Sequence, residues 1–189
     1  MIAHYDYKFR KASLLDIPFI FNLIQIGSLN GAFNEFLMTS KGYIFTLREL
    51  FLDVLRPLRI KLRTDDIKLL IFTLNNEDIG FIRIKSQFAG EHTQEISLCS
   101  ITPEHRNQKH GTQMIRMYIE NLPIGTEVIA YCSIYSEVMQ HTLKKLKFQK
   151  EERNLPDTDD CYRFTKNPDA VQVNSDVTPE KSTLSSAQI

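Results

Sequence analysis

The sequence is short of most features that assign a protein at first sight. Its 189 residues carry no excess of either charge, since 23 Lys and Arg stand against 23 Asp and Glu. A general attraction to nucleic acid or to an anionic membrane is therefore not expected, and neither is counted among the partners. Only three cysteines are present, Cys99, Cys132 and Cys161. An odd number at wide spacing fits reduced thiols better than a disulfide framework, and predicts a cytoplasmic protein. Apolar runs such as Leu69 to Leu74 fall far short of the roughly 20 residues that span a bilayer. Met1 to Arg10 is polar and mixed, unlike a secretory leader. The patterns GxGxxG, GxxxxGK and HExxH are all missing, which removes the usual dinucleotide, nucleoside-triphosphate and zinc-protease readings. His105 and His110 flank Arg106 to Lys109 without the set of Cys or carboxylate ligands that a metal needs, so no metal site is predicted.

What is present is an ordinary globular composition, 42% hydrophobic and 24% charged, enough for one domain with a sizeable core. That domain is expected over residues 1–166. From Asn167 the chain has no aromatic residue and no glycine, so 167–189 reads as a disordered tail. Tyr5 to Ala12 reads as a first strand, followed by a helix capped by Ser13 with Asp16 and Pro18 in its first turn. Ile17, Ile20, Phe21 and Ile24 form its buried face, Gly27 ends it, and Gly27 to Met38 is a loop. Thr46 and Glu49 make a capping-box pattern that opens a second helix with Leu47, Leu50, Phe51 and Val54 inward, stopped at Arg56-Pro57. Arg56, Arg59, Lys61 and Arg63 read as a solvated basic linker. Ile67 to Leu74 and Ile79 to Lys85 are strands joined by a turn over Asn75 to Asp78. Later come a strand at Val128 to Cys132, a helix capped by Ser136 with Val138, Met139, Thr142, Leu143 and Leu146 inward, and two short strands around Phe148 and from Cys161 to Phe164.

The stretch that organises the rest runs from Glu95 to Leu122. Polar or small residues interleave with apolar ones up to Ile101, placing Glu95, Ser97 and Cys99 on one face of a strand and Ile96 and Leu98 on the other. After Pro103 a polar turn, Arg106-Asn107-Gln108-Lys109-His110-Gly111, leads into a helix with Met114, Ile115, Tyr118, Ile119 and Leu122 on one face. The first amides of a helix lack intrahelical partners and the macrodipole adds positive charge, so such a turn can hold a phosphate. Its bland reading is a solvated loop.

Here the residues resemble the acyl-CoA signature of the GNAT superfamily of N-acetyltransferases. In that signature a strand ends in Val or Ile and, five residues on, come Gln or Arg, two residues, Gly, one residue, then Gly or Ala. This chain has Ile101, then Arg106 to Gly111, with Lys109 at the first glycine. Arg10, Ala12, Asp16 and Ile20 are similar to the superfamily's opening, and Tyr135 to Phe148 to its last helix and following strand. The resemblance implies a mixed α/β fold with a largely antiparallel central sheet, splayed where CoA enters. It implies acetyl transfer from acetyl-CoA, a co-substrate, to a primary amine of a small molecule or peptide by direct attack; a homodimer is compatible with it. It also implies a CoA site made by Cys99, Ile101, Arg106, Asn107, Gln108, Lys109, His110, Gly111, Thr112 and Ser136.

Acetyl transfer to an amine needs a general base, because a lysine-type amine is protonated near neutral pH. Glu95 stands six residues before Ile101, as does the base glutamate of the superfamily's histone acetyltransferases; its bland reading is a carboxylate at the strand's edge. The usual acid is a Tyr four residues before the glycine of a Gly-Phe pair. That pair is Lys147-Phe148 here and the Tyr position holds Leu143, so Tyr135, Tyr131 or water is left to protonate the thiolate. Cys99 cannot be paired with a base from sequence alone, so it reads as a core residue in preference to a nucleophile. The rival expectation is a catalytically silent GNAT-fold module that holds acyl-CoA or a partner without turnover.

Overall fold

The computed structural model describes residues 5–33, 35–55, 66–86, 92–151 and 159–167. The basic run from Arg56 to Arg63, the helix stop at Arg56-Pro57 and the tail from residue 168 lie outside the described residues. β1 (Tyr7–Lys11) is followed by a 3-10 turn, α1 (Ile17–Leu29), a second 3-10 turn (Glu35–Met38) and α2 (Ser40–Leu55). Three strands come next, β2 (Asp66–Leu74), β3 (Glu77–Ser86) and β4 (Thr93–Ile101). Then come α3 (His110–Glu120), β5 (Glu127–Cys132), α4 (Glu137–Lys145), β6 (Gln149–Glu151) and β7 (Asp160–Thr165). The strands form one sheet in the order β1-β2-β3-β4-β5-β7-β6. Every neighbouring pair is antiparallel except β4 and β5. This is the expected α/β class, a largely antiparallel sheet flanked by helices.

Each face of the sheet carries its own core. Met114, Ile115, Tyr118 and Ile119 of α3 and Leu143 of α4 pack with Ile82, Ile84, Ile96, Val128 and Tyr162. On the opposite face Ile20, Phe21, Leu23 and Ile24 of α1 and Leu50 of α2 cover Leu69, Ile71 and Phe81. The 3.6-residue spacing of these apolar side chains gives each helix a single buried stripe. A charged clasp crosses the second core: Arg83 Nε of β3 lies 2.6 Å from Asp53 Oδ2 of α2, whose side chain is fully buried, and Glu49 Oε2 stands 3.8 Å from the same guanidinium.

Several local expectations are corrected. α1 runs through Gly27 to Leu29, because Gly27 is the place where the Phe33 ring rests on the helix; a Cβ there would lie 2.4 Å from it. The expected loop after it therefore begins later and holds a 3-10 turn. α2 starts at Ser40, six residues before Thr46: Thr39 Oγ1 accepts the Gly42 N–H at 3.0 Å and supplies the cap, while Thr46 is buried mid-helix. Phe51 and Val138 are exposed and not inward. The β2–β3 turn is only Asn75-Asn76, with φ of 51° and 69°, a conformation asparagine tolerates. In β4 the simple alternation fails, since the register against β3 jumps between Arg83↔Leu98 and Ile84↔Ile96, leaving Ser97 as an extra residue. The bulge turns Leu98 toward the α1–α2 core while Ile96 and Cys99 pack in the other.

Candidate active site

β4 and β5 pair only from Thr93↔Glu127 to Ile96↔Ala130. Beyond that the two strands part, and β4 runs on to Ile101 with no neighbour on that side among the described residues. The bulge at Ser97 falls at the parting. The polar turn and the start of α3 stand at the far end of this free edge. There the first bond of the helix runs from Gln113 N to Lys109 O at 3.0 Å, so the N–H groups of His110, Gly111 and Thr112 stand ahead of the helix's own ladder. Arg106 folds back, its Nε donating to Ile101 O at 3.1 Å, which fixes the turn against the end of β4. Asn107, Gln108 and Lys109 are exposed, whereas Gly111 and Thr112 are half-buried.

Lys109 has φ +65°, the left-handed region that glycine enters without strain. The lysine at the resembling pattern's first glycine thus has a backbone shape that glycine would adopt freely. The same holds at the other departure. Lys147 also has φ +65°, and around it Phe148 N donates to Leu143 O and Lys147 N to Lys144 O, both at 3.0 Å, the two bonds of a Schellman ending for α4. Gly111 is not required by the fold, since a Cβ there would make an ordinary 3.6 Å contact with Ile101 Cγ1.

Glu95 lies at the next-to-last paired position of β4, beside Ile129 of β5 and opposite Lys85 of β3. Its Oε1 is 3.6 Å from Lys85 Nζ, and its side chain is 15% exposed. Two residues from the bulge, it shares with Leu98 and Arg83 the sheet face covered by α1 and α2. Tyr135 sits in the connection from β5 to α4, is 76% exposed, and lies beside Gly31, whose Cβ position is 3.8 Å from Tyr135 Cβ. The turn after α1 thus meets the turn after β5 across the opening. Ser136 is the N-cap residue of α4, although its hydroxyl makes no capping bond; its carbonyl accepts Gln140 N at 3.0 Å. Leu143 is completely buried in the α3–α4 core.

Cys99 packs in that same core with Sγ 4.0 Å from Met139 Sδ, and desolvation pushes its thiol up to about 12. It is no nucleophile near neutral pH. The His110 side chain is buried and turned toward β1, with Nδ1 2.8 Å from the Tyr7 hydroxyl. Tyr7, Lys85 and the Arg83–Asp53 clasp were not foreseen from the sequence. Their partners lie from 10 to 103 residues away, and no local pattern announces such a pair. No group of three His, Cys, Asp or Glu side chains suited to a metal occurs among the described residues, nor is any helix there long and apolar enough to cross a membrane.

The sequence matches no protein-family model and no curated protein. Solved structures resemble it closely in shape. The PaiA N-acetyltransferase of Thermoplasma acidophilum, in complex with coenzyme A, superposes with a TM-score of 0.63 at 16% identity over 85% of this chain and 99% of its own. A GNAT-family acetyltransferase of Streptococcus agalactiae gives 0.64 at 15% over 85% and 96%. A GNAT-superfamily phosphinothricin acetyltransferase of Sinorhizobium meliloti, in complex with AcCoA, gives 0.60 at 14% over 93% and 97%. The chain has the GNAT acetyltransferase fold.

Proposed function

We propose that the protein is an acyl-CoA-dependent N-acyltransferase that moves an acetyl group from acetyl-CoA to a primary amine. The observation that carries this reading is the parting of β4 from β5, with a free strand edge at its side and the first amides of α3 at its end. The pantetheine arm would lie along Ser97 to Ile101, and the pyrophosphate would accept from the amides of Asn107 to Thr112, with Lys109 adding charge. Structures of like fold that hold coenzyme A or AcCoA support the assignment.

In the reaction the amine nitrogen attacks the thioester carbonyl and a tetrahedral intermediate forms. Glu95 takes a proton from the nitrogen, the C–S bond breaks, and the CoA thiolate leaves. Tyr135, exposed at the opening, is the nearest analogue of the missing helix tyrosine and protonates the thiolate; water serves if it does not. No covalent bond to the protein forms. The rival reading, a module that binds acyl-CoA without turnover, rests on Leu143, an aliphatic residue at the place of the usual acid. Lys109 and Lys147, which stand at the pattern's glycines, do not add to it, because both have the backbone that glycine adopts.

The test is thiol release from acetyl-CoA over a panel of amines and peptides, with Glu95→Gln alongside. The parent should turn over, and the variant should lose roughly 100- to 10,000-fold in turnover, the usual range for a general base, while binding CoA as before. CoA binding without thiol release from any amine would favour the module. Full turnover by the variant at neutral pH would remove Glu95 from the mechanism.

A further inference from the structure

His110 is the first residue of α3, yet its side chain is only 3% exposed. Burying an imidazole is unfavourable unless both ring nitrogens are bonded, and here both are. Nδ1 lies 2.8 Å from the Tyr7 hydroxyl of β1, and Nε2 lies 3.3 Å from Gln108 Oε1. The Gln108 amide nitrogen in turn donates to Glu104 O at 3.0 Å. That bond assigns the protons along the whole chain of contacts. Since the Gln108 NH2 group donates to a carbonyl, its oxygen is the acceptor, so His110 carries its proton on Nε2 and accepts the Tyr7 O–H at Nδ1. Burial first, and the neighbouring His105 second, hold the imidazole below its usual pKa, in keeping with this neutral form.

The contacts join two parts of the chain 103 residues apart, the edge strand β1 and the turn before α3. Tyr7 is itself held, its ring stacked on Phe72 at 5.3 Å with an interplanar angle of 6°. The turn needs an outside anchor. Lys109 has positive φ, at 65°, a shape that a lysine resists and that a free loop would relax, and Asn107 two residues before it has 61°. The amides proposed to hold the pyrophosphate belong to this turn.

We propose that His110, through Tyr7 on one side and Gln108 on the other, is a positioning residue that holds the turn from Arg106 to Gly111 in its phosphate-binding shape. The proposal rests on the CoA site argued above. Its test is the affinity of folded Tyr7→Phe and His110→Phe variants for CoA and for pantetheine, which lacks the pyrophosphate. Both are measured by calorimetry well below the thermal midpoint. Each variant removes bonds of neutral groups, so CoA affinity should fall about 3- to 10-fold. The double variant should be no weaker than His110→Phe alone, because both changes break one relay. Pantetheine affinity should not move. Tyr7→Phe keeps the stacked ring, and it decides the matter by itself if His110→Phe does not fold. Variants that bind CoA as the parent does, or that lose equally for pantetheine, overturn the role of His110. A parent that binds no CoA overturns the site itself and this inference with it.

Discussion

At the scale of single residues, the instructive positions are the two lysines that stand where the GNAT pattern has glycine. Residue identity alone made Lys109 and Lys147 look like losses of function, but the backbone at both is the one glycine would adopt. The Schellman bonds at Lys147 explain the Gly-Phe pairing physically: the first residue must turn left-handed, and the second, Phe148, then packs with Leu143 in the α3–α4 core. A non-glycine residue in this region costs about 1 to 2 kcal/mol, part of which glycine returns through its freer unfolded chain. Lys147→Gly should therefore raise stability by a few tenths to about 1 kcal/mol, read as a thermal midpoint higher by about 1 to 3 °C. A lower midpoint would mean that the lysine side chain contributes more than the strain removes.

Among the elements, β1, α1 and the β2–β3 hairpin are joined by one guanidinium. Arg10 of β1 reaches Asp16 through NH1 at 2.8 Å and NH2 at 2.7 Å, and Asp78 of β3 through Nε at 3.2 Å and NH2 at 2.5 Å. The Arg and Asp of the opening pattern are thus a bidentate pair, and Asp16 does more than favour the helix dipole. Bonds from Arg10 first, opposed by burial and helped by Ser13, lower the Asp16 carboxyl to about 2. A carboxyl whose folded pKa is depressed stabilises the fold above its unfolded value, near 3.9, and loses that contribution as pH falls toward the folded one. Since the Arg10 side chain is 40% exposed, solvent screening reduces the pair to on the order of 1 to 2 kcal/mol. Urea midpoints from pH 7 to 2 should show it. Asp16→Asn should be less stable at pH 7, and its difference from the parent should shrink between about pH 4 and pH 2. A difference that stays constant with pH would deny the ion pair this role.

For the whole molecule, what the sequence disclosed was the local order of elements and not their closure. Strands, helices and the polar turn were legible because each is written in a short run: helical spacing in Met114 to Ile119, β-rich segments around Asn75-Asn76. The bulge at Ser97 and the His110–Tyr7 contact were not, because the first is a one-residue change in register and the second joins residues 103 apart, while the local cap at Thr39 was hidden by the competing Thr46 and Glu49 pattern. The sheet itself divides at the parting of β4 from β5. β1 to β4 form one antiparallel body, β5 to β7 another, and between them only the four parallel pairs from Thr93 to Ile96 bridge the sheet. A ligand lodged in the parting would touch both bodies and tie them together. If CoA binds there, it should stabilise the native state by about 2.7 kcal/mol at 100 times its dissociation constant, raising the thermal midpoint by about 5 to 10 °C. Amide exchange should slow on Ser97 to Ile101 of β4 and along the turn to Thr112, more than on β1 or β2. Gly111→Asp, which adds bulk and negative charge where phosphate approaches and which the fold has room for, should abolish both effects without lowering the unliganded midpoint by more than a few degrees. Protection confined to α1 and α2, or an equal thermal shift in Gly111→Asp, would place the coenzyme elsewhere and leave the parting of β4 from β5 without a ligand.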